Sequence, residues 1–209
     1  MSDKTFFTVL LTLYAMVLVW SGIMPKEYGT WAMEVAPSVI ILIVLLLTHK
    51  RFRFSRPVYV LFLIHAAILC IGGKYTYAEN PLFEYLKPVF GWERNNYDKV
   101  GHLVQGLIPA FAIREYILRT KIILRVGWAN FFTVCAIALV TVTYEFIEWW
   151  AALLIGQSAD AFLGTQGYIW DTQSDMLLAV VGGLVTCYLL GGVHDRWIAR
   201  EQRSSSKHP

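Results

Sequence analysis

The chain has 209 residues, of which 56% are hydrophobic and 16% are charged, and its mean hydropathy is +0.50. Soluble domains carry about 25% charged residues, so this composition argues against a soluble protein. The net charge of +3 is too small to favour binding to nucleic acid, and we expect no nucleic-acid partner.

The hydrophobic residues lie in long blocks. Residues 6–24, 35–48 and 57–73 contain no charged residue. About 20 apolar residues in a helix cross a bilayer core of roughly 30 Å. The candidate spans are residues 5–24, 31–48, 57–73, 99–118, 128–154 and 172–193. The sequence therefore predicts an all-α, polytopic membrane bundle of about six transmembrane helices, with the lipid bilayer as its surroundings.

Basic residues predict the orientation of the chain. They collect in the loops at residues 49–57 and 119–125 and in the C-terminal tail, which six crossings would place on one side. Positive residues in short loops mark the cytoplasmic side, so we expect both termini to be cytoplasmic. We further expect one multi-pass transmembrane domain over residues 1–195 and a short basic cytoplasmic tail over residues 196–209.

Polar residues within spans are costly, and here they gather at the predicted outer ends of three helices. Residues three or four apart share a helix face. The pairs with this spacing are Asp98 with His102, Glu145 with Glu148, and Asp171 with Asp175. The sequence therefore predicts a polar, carboxylate-rich pocket that opens to the outer side.

Such a carboxylate cluster needs compensation, because like charges and low dielectric both oppose ionisation. The sequence does not decide which group offsets the negative charge. The candidates are Lys74, Lys99, His102, a bound divalent cation and protons. The candidate metal ligands are Asp98, His102, Glu145, Glu148, Asp171 and Asp175. The candidate catalytic residues are His102, Glu145 and Asp175.

Structural interpretations of single residues also stay open. Asp98 and Asp171 can be helix N-caps, and Lys74 and Lys99 can extend to the membrane interface. His102 can be a hydrogen-bonded packing residue. For His65, in the middle of the third span, we expect a neutral imidazole hydrogen-bonded across helices.

Four motifs resemble the YjdF family of uncharacterised bacterial inner-membrane proteins. They are IGGKYTYAENPLF, YDKVGHLVQG, YEFIEWW and GTQGYIWDTQSDMLLAVVGG. The resemblance covers essentially the whole chain and implies a multi-pass protein of the bacterial inner membrane. It implies no activity, substrate or catalytic residue.

The second half of the chain is also similar to the VanZ-like membrane proteins, which are associated with glycopeptide-antibiotic resistance. That family has an Asp-Lys-x-x-His helix start, matched by Asp98, Lys99 and His102, and a later acid that Glu145 or Glu148 matches. Its third pattern is Asp-x-x-x-Asn-x-x-Gly. Asp175 and Gly182 match the first and last residues of this pattern, but Ala179 stands where that family has Asn.

Three hypotheses of function follow from these features. The first is a membrane-embedded enzyme that hydrolyses a lipid or lipid-linked substrate at the outer leaflet. The second is proton- or ion-linked handling of a lipid or small molecule, since intramembrane carboxylates often mark ion pathways. The third is a non-catalytic structural or regulatory membrane partner. The sequence does not indicate the oligomeric state.

Overall fold

A computed structural model describes residues 1–155 and 165–205, and over these ranges it contains helices and turns but no strand. The prediction of an all-α membrane bundle is confirmed. The helices are α1 (Asp3–Gly22), α2 (Tyr28–Thr48), α3 (Arg56–Tyr75), α4 (Pro81–Phe90), α5 (Tyr97–Arg119), α6 (Val126–Ile155), α7 (Asp171–Leu184) and α8 (Gly191–Ser205).

Within the part of the chain that the structure describes, five stretches are long and apolar enough to cross a membrane. They are Asp3–Gly22, Tyr28–Thr48, Arg56–Tyr75, Val126–Leu154 and Asp171–Leu189. Helix α5 has 23 residues, which at 1.5 Å per residue is about 35 Å and long enough for a sixth span. Its hydropathy is lower because charged residues occupy both of its ends.

Helix α5 lies at the centre of the bundle, packed against α3, α6 and α7. Its contact with α7 depends on glycine. A Cβ atom on Gly106 would lie 1.7 Å from the carbonyl oxygen of Ala179, and one on Gly182 would lie 2.3 Å from that of Leu103. The two backbones therefore touch directly, and Thr186 adds a 2.7 Å hydrogen bond to the carbonyl oxygen of Leu107.

The last predicted span ends earlier than the sequence indicated. Helix α7 passes into a π-helical turn at Val185–Leu189, and α8 begins after Leu190 at Gly191, so the chain changes helix before the predicted end at residue 193. Helix α8 extends across the boundary predicted at residue 195. Ile198 on it is buried, and the ring of Trp197 lies 5.3 Å from that of Phe111.

The loop between α3 and α5 contains a short amphipathic helix, α4. Asn80 begins α4 by accepting hydrogen bonds from the backbone of Leu82 and Phe83, and Gly91 ends it in a left-handed conformation. The exposed apolar side chains of α4 include Leu82, Tyr85, Val89 and Phe90.

Candidate functional site

His102 is the centre of a buried cluster formed by α5, α6 and α7. Its Nε2 atom lies 3.4 Å from Oδ1 of Asp98 and 4.0 Å from Oδ2 of Asp175. Its Nδ1 atom lies 3.9 Å from Oε1 of Glu145. All four residues are buried, with exposures of 3–7%. The structure thus brings together four of the residues that the sequence selected.

The helix contact at Gly106 explains why Asp175 reaches His102. Gly106 is one turn after His102 on α5, and Ala179 is one turn after Asp175 on α7. Because the two backbones touch at Gly106 and Ala179, the side chains one turn earlier are held face to face.

Lys99 links α5 to the first turn of α7. Its ammonium group lies 2.6 Å from Asp171, 2.7 Å from Asp175 and 2.7 Å from the hydroxyl of Ser174. Arg94 makes a second ion pair of 2.6 Å with Asp171. Asp171 therefore contacts two cationic side chains. Asp98, His102 and Asp175 each offer one possible metal-ligand atom, and these three atoms lie within 4.8 Å of one another.

Carboxylates outnumber cations around His102, and three buried atoms of the cluster have no hydrogen-bond partner among the described residues. They are Oδ2 of Asp98, Nδ1 of His102 and Oε1 of Glu145. Buried polar atoms are almost always satisfied, so three such atoms in one cluster make it a candidate binding site.

A cavity of about 320 Å³ lies beside the cluster, between α6 and α7. Its lining includes the acidic residues Glu145, Glu148, Asp171 and Asp175 and the apolar residues Phe146, Trp149 and Met176. Glu148 thus lies next to the cluster, one turn of α6 beyond Glu145. The cavity combines acidic and apolar surface, as a site for a molecule with a polar group and an apolar chain would.

Two further polar residues, Glu34 and Lys74, make contacts with partners other than His102. The carboxylate of Glu34, on α2, accepts a 3.4 Å hydrogen bond from Tyr144, whose ring lies 6.1 Å from that of His102. Lys74, considered a compensator of the acidic cluster, instead donates to the carbonyl oxygens of Trp20 and Ile23. The interfacial interpretation of Lys74 fits this contact, because its ammonium group covers the exposed C-terminal carbonyls of α1.

Asn95 fixes the loop that enters α5, and the sequence analysis missed it. Its side-chain amide donates to the carbonyl oxygen of Asn80 at 3.0 Å and to Glu84 at 2.9 Å. Its backbone exchanges two 2.9 Å hydrogen bonds with the side chain of Gln166. The Asn95 amide, together with Lys87, holds the pKa of Glu84 below its usual range. Nothing in the spacing of Asn95 indicates these distant partners.

A second polar network at the opposite end of α5 was also missed. Arg114 contacts Asn130 at 2.8 Å and His194 at 3.0 Å, and His194 lies 3.4 Å from Glu115. Glu115 in turn accepts two 2.7 Å hydrogen bonds from Ser55. Arg114, Glu115 and His194 are almost fully buried, with exposures of 0–1%. Each has hydrogen-bond partners here, so this network joins helices rather than offering a vacant site.

These features define a multi-pass α-helical membrane protein with a buried carboxylate–imidazole cluster near one end of its bundle. More specifically, the chain belongs to the predicted membrane protein family DUF2238, whose model matches residues 6–196. It is 43% identical over 193 residues to the inner membrane protein YjdF of Escherichia coli (strain K12), and the match covers 92% of each chain. No solved structure matches the chain.

Proposed function

We propose that the His102 cluster binds a divalent cation at the outer side of the bacterial inner membrane and supports hydrolysis of a lipid or lipid-linked ester or phosphate. The observation that carries this proposal is the set of buried atoms without hydrogen-bond partners on Asp98, His102 and Glu145. Like carboxylates held this close repel one another, and a cation relieves that repulsion.

The donor set suits such an ion. Asp98, His102 and Asp175 provide two carboxylates and one imidazole, which are ligand types of zinc and manganese sites. Three protein ligands leave coordination positions for water and substrate, as in catalytic metal sites. Lys99 supports the set from outside by holding Asp175 in place at 2.7 Å.

The adjacent cavity indicates the kind of substrate. It is lined by Glu145 and Asp175 of the cluster and also by Phe146, Trp149 and Met176, on two helices long and apolar enough to cross a membrane. A lipid whose scissile ester or phosphate lay near His102 would place its chain along this apolar surface. An anionic phosphate would be repelled by the bare carboxylates, so the cation is needed for that substrate class.

The residues have distinct roles in this proposal. A bound cation would lower the pKa of a water molecule and polarise the ester or phosphate oxygen. Glu145, which faces His102 but lies outside the three-residue donor set, is placed to accept a proton from that water. Its Oε1 atom has no hydrogen-bond partner among the described residues and is thus available.

The test begins with metal binding to the full-length protein purified in detergent and stripped with a chelator. We expect Zn²⁺ or Mn²⁺ to raise the midpoint of thermal unfolding, because a ligand that binds only the folded state stabilises it. His102→Gln and Asp175→Asn should fold but lose this shift. His49→Gln, at the other end of the bundle, is the matched control and should retain it.

Hydrolysis is then measured with synthetic lipid esters and lipid phosphates in the presence of the bound ion. Glu145→Gln should keep metal binding but lose hydrolysis. Metal binding without hydrolysis, together with substrate flux in liposomes, would instead support ion-linked lipid handling. If no ion binds and the three cluster variants all unfold at lower temperature, the cluster is structural and the enzyme proposal fails.

A further inference from the structure

His65 occupies the middle of α3 and is buried, with an exposure of 3%. Neither of its ring nitrogens has a hydrogen-bond partner among the residues that the structure describes. The expectation that His65 is hydrogen-bonded across helices is therefore wrong. An unsatisfied buried polar group is costly and rare in folded proteins, so its presence here needs an explanation.

His65 lines an apolar cavity of about 210 Å³ formed by α1, α2 and α3. The cavity surface is mostly leucine, isoleucine and aromatic side chains. Leu10 on α1, Leu42 on α2 and Phe62 on α3 are examples. These helices are among the five that can cross a membrane, so the cavity lies within the apolar part of the bundle. It involves different helices from the His102 cluster, and its occupant is independent of the function proposed above.

Two polar side chains that line the cavity, Tyr14 and Ser38, are already hydrogen-bonded. The Ser38 hydroxyl donates to the carbonyl oxygen of Val35 at 2.8 Å. Its one proton is thereby committed, so Tyr14 is the donor in the 3.2 Å contact with Ser38. A neutral imidazole carries one N–H group, and the N–H of His65 has no acceptor. Among the described residues, the cavity thus combines an apolar surface with a buried imidazole, His65, whose donor has no acceptor.

The depth of His65 restricts the ligand. It lies nine residues after the start of α3 at Arg56 and ten before its end at Tyr75, which is about 14–15 Å from either end. A core of roughly 30 Å then places it near the bilayer midplane. Charged headgroups are strongly disfavoured there, and the ester carbonyls of phospholipids lie near the headgroups instead. The ligand must be neutral, apolar and equipped with a hydrogen-bond acceptor.

We propose that the α1–α3 cavity binds a lipid-soluble quinone, whose ring carbonyl accepts a hydrogen bond from His65 and whose chain runs along the apolar surface. A quinone ring meets each requirement, because it is neutral, soluble in the bilayer interior and carries carbonyl acceptors. The aromatic side chains of Tyr14, Tyr59 and Phe62 on the cavity wall suit a flat ring.

The test uses the full-length protein in detergent, stripped of lipid and titrated with a benzoquinone that carries a decyl chain. Binding is followed by protein fluorescence quenching and by the midpoint of thermal unfolding. We expect His65→Leu to weaken binding about tenfold, as loss of one buried hydrogen bond would. Without quinone this variant should be at least as stable as the wild type, because the unsatisfied group is gone.

Two further variants complete the experiment. Ile64→Ala changes the neighbouring exposed residue on α3, which does not line the cavity, and should leave affinity unchanged. Leu42→Trp keeps His65 but fills the cavity, and should abolish binding. Methyl decanoate is the ligand control, since it has a chain and an ester carbonyl but no ring.

Three results would overturn the proposal. They are no quinone binding to the wild type, equal quinone affinity in His65→Leu, and equal affinity of the wild type for methyl decanoate. The last result would identify the cavity as a site for acyl chains in general. If the wild type binds no quinone but self-associates, and Leu42→Trp disrupts that association, a second copy of the chain covers the cavity instead.

Discussion

The backbone of Gly106 lies against the carbonyl group of Ala179, so closely that a Cβ atom at residue 106 would be 1.7 Å from the carbonyl oxygen. One helical turn away, the same pair of helices holds His102 and Asp175 face to face. The geometry of the candidate site therefore depends on the absence of a side chain at Gly106. A change at this residue should disturb both stability and the cluster.

We predict that Gly106→Ala destabilises the protein by about 1–3 kcal/mol or more, because α5 and α7 must move apart to admit the methyl group. The measurement is thermal unfolding of the purified protein in detergent. Gly127→Ala is the control, since a Cβ atom there meets nothing within 4 Å. Equal stability of Gly106→Ala and the wild type would show that the helices are not packed this closely.

Replacement of Lys99 should leave Asp171 and Asp175 without a shared cation. Because the Lys99 side chain is 18% exposed and its partners are 5–6% exposed, we expect Lys99→Met to cost about 2–3 kcal/mol, less than for a fully buried pair. Adding Asp171→Asn should cost less than it does in the wild type. The control Lys87→Met breaks an exposed ion pair with Glu84, which should contribute at most about 1 kcal/mol. Additive effects at Lys99 and Asp171 would contradict the contact.

Acidification should weaken the attachment of α4 to the loop that enters α5. The pKa of Glu84 is lowered from its usual 4.5 by hydrogen bonds from Asn95 and Lys87. A lowered folded-state pKa stabilises the fold above pH 4.5, and this contribution disappears as the pH falls through the folded-state value. The difference in unfolding midpoint between the wild type and Glu84→Gln should thus be constant near neutral pH and shrink below about pH 4.5.

Membrane orientation is predicted by the basic loops and can be tested with reporter fusions. Fusions after residues 54 and 122 should report a cytoplasmic location, and a fusion after residue 88 in α4 should report the outer side. An external signal at residue 54 would reverse the orientation. A cytoplasmic signal at residue 88 would require a different number of crossings.

The sequence predicted the helices well because long apolar blocks have few alternatives. It also predicted that Asp98, His102, Glu145 and Asp175 share one end of the bundle, since helix spacing and the direction of successive spans together fix depth. Whether they bind a metal or act in catalysis stays a prediction.

Pairs of residues far apart in the chain were not predictable in this way. Arg114 and His194 are 80 residues apart, and Asn95 and Gln166 are 71 apart. Periodicity indicates which face of a helix is polar but carries no information about the partner helix. The Gly106 contact was missed for the same reason, because a glycine in a helix indicates close packing only once its neighbour is known.

The charged residues near both ends of α5 affect the insertion of this helix into the membrane during synthesis. An isolated α5 would bring Lys99 and Arg114 to the bilayer before the residues that they contact on later helices, and inserting a charged residue costs up to about 2.5–3.5 kcal/mol, the value at a helix centre. Its partners Asn130, Glu145, Asp175 and His194 all emerge later from the ribosome. We therefore expect stable integration of α5 to depend on the synthesis of α6 to α8. A chain that ends at residue 120, fused to a linker long enough to clear the ribosome, should leave this segment outside the lipid phase, whereas the full chain should bring it in.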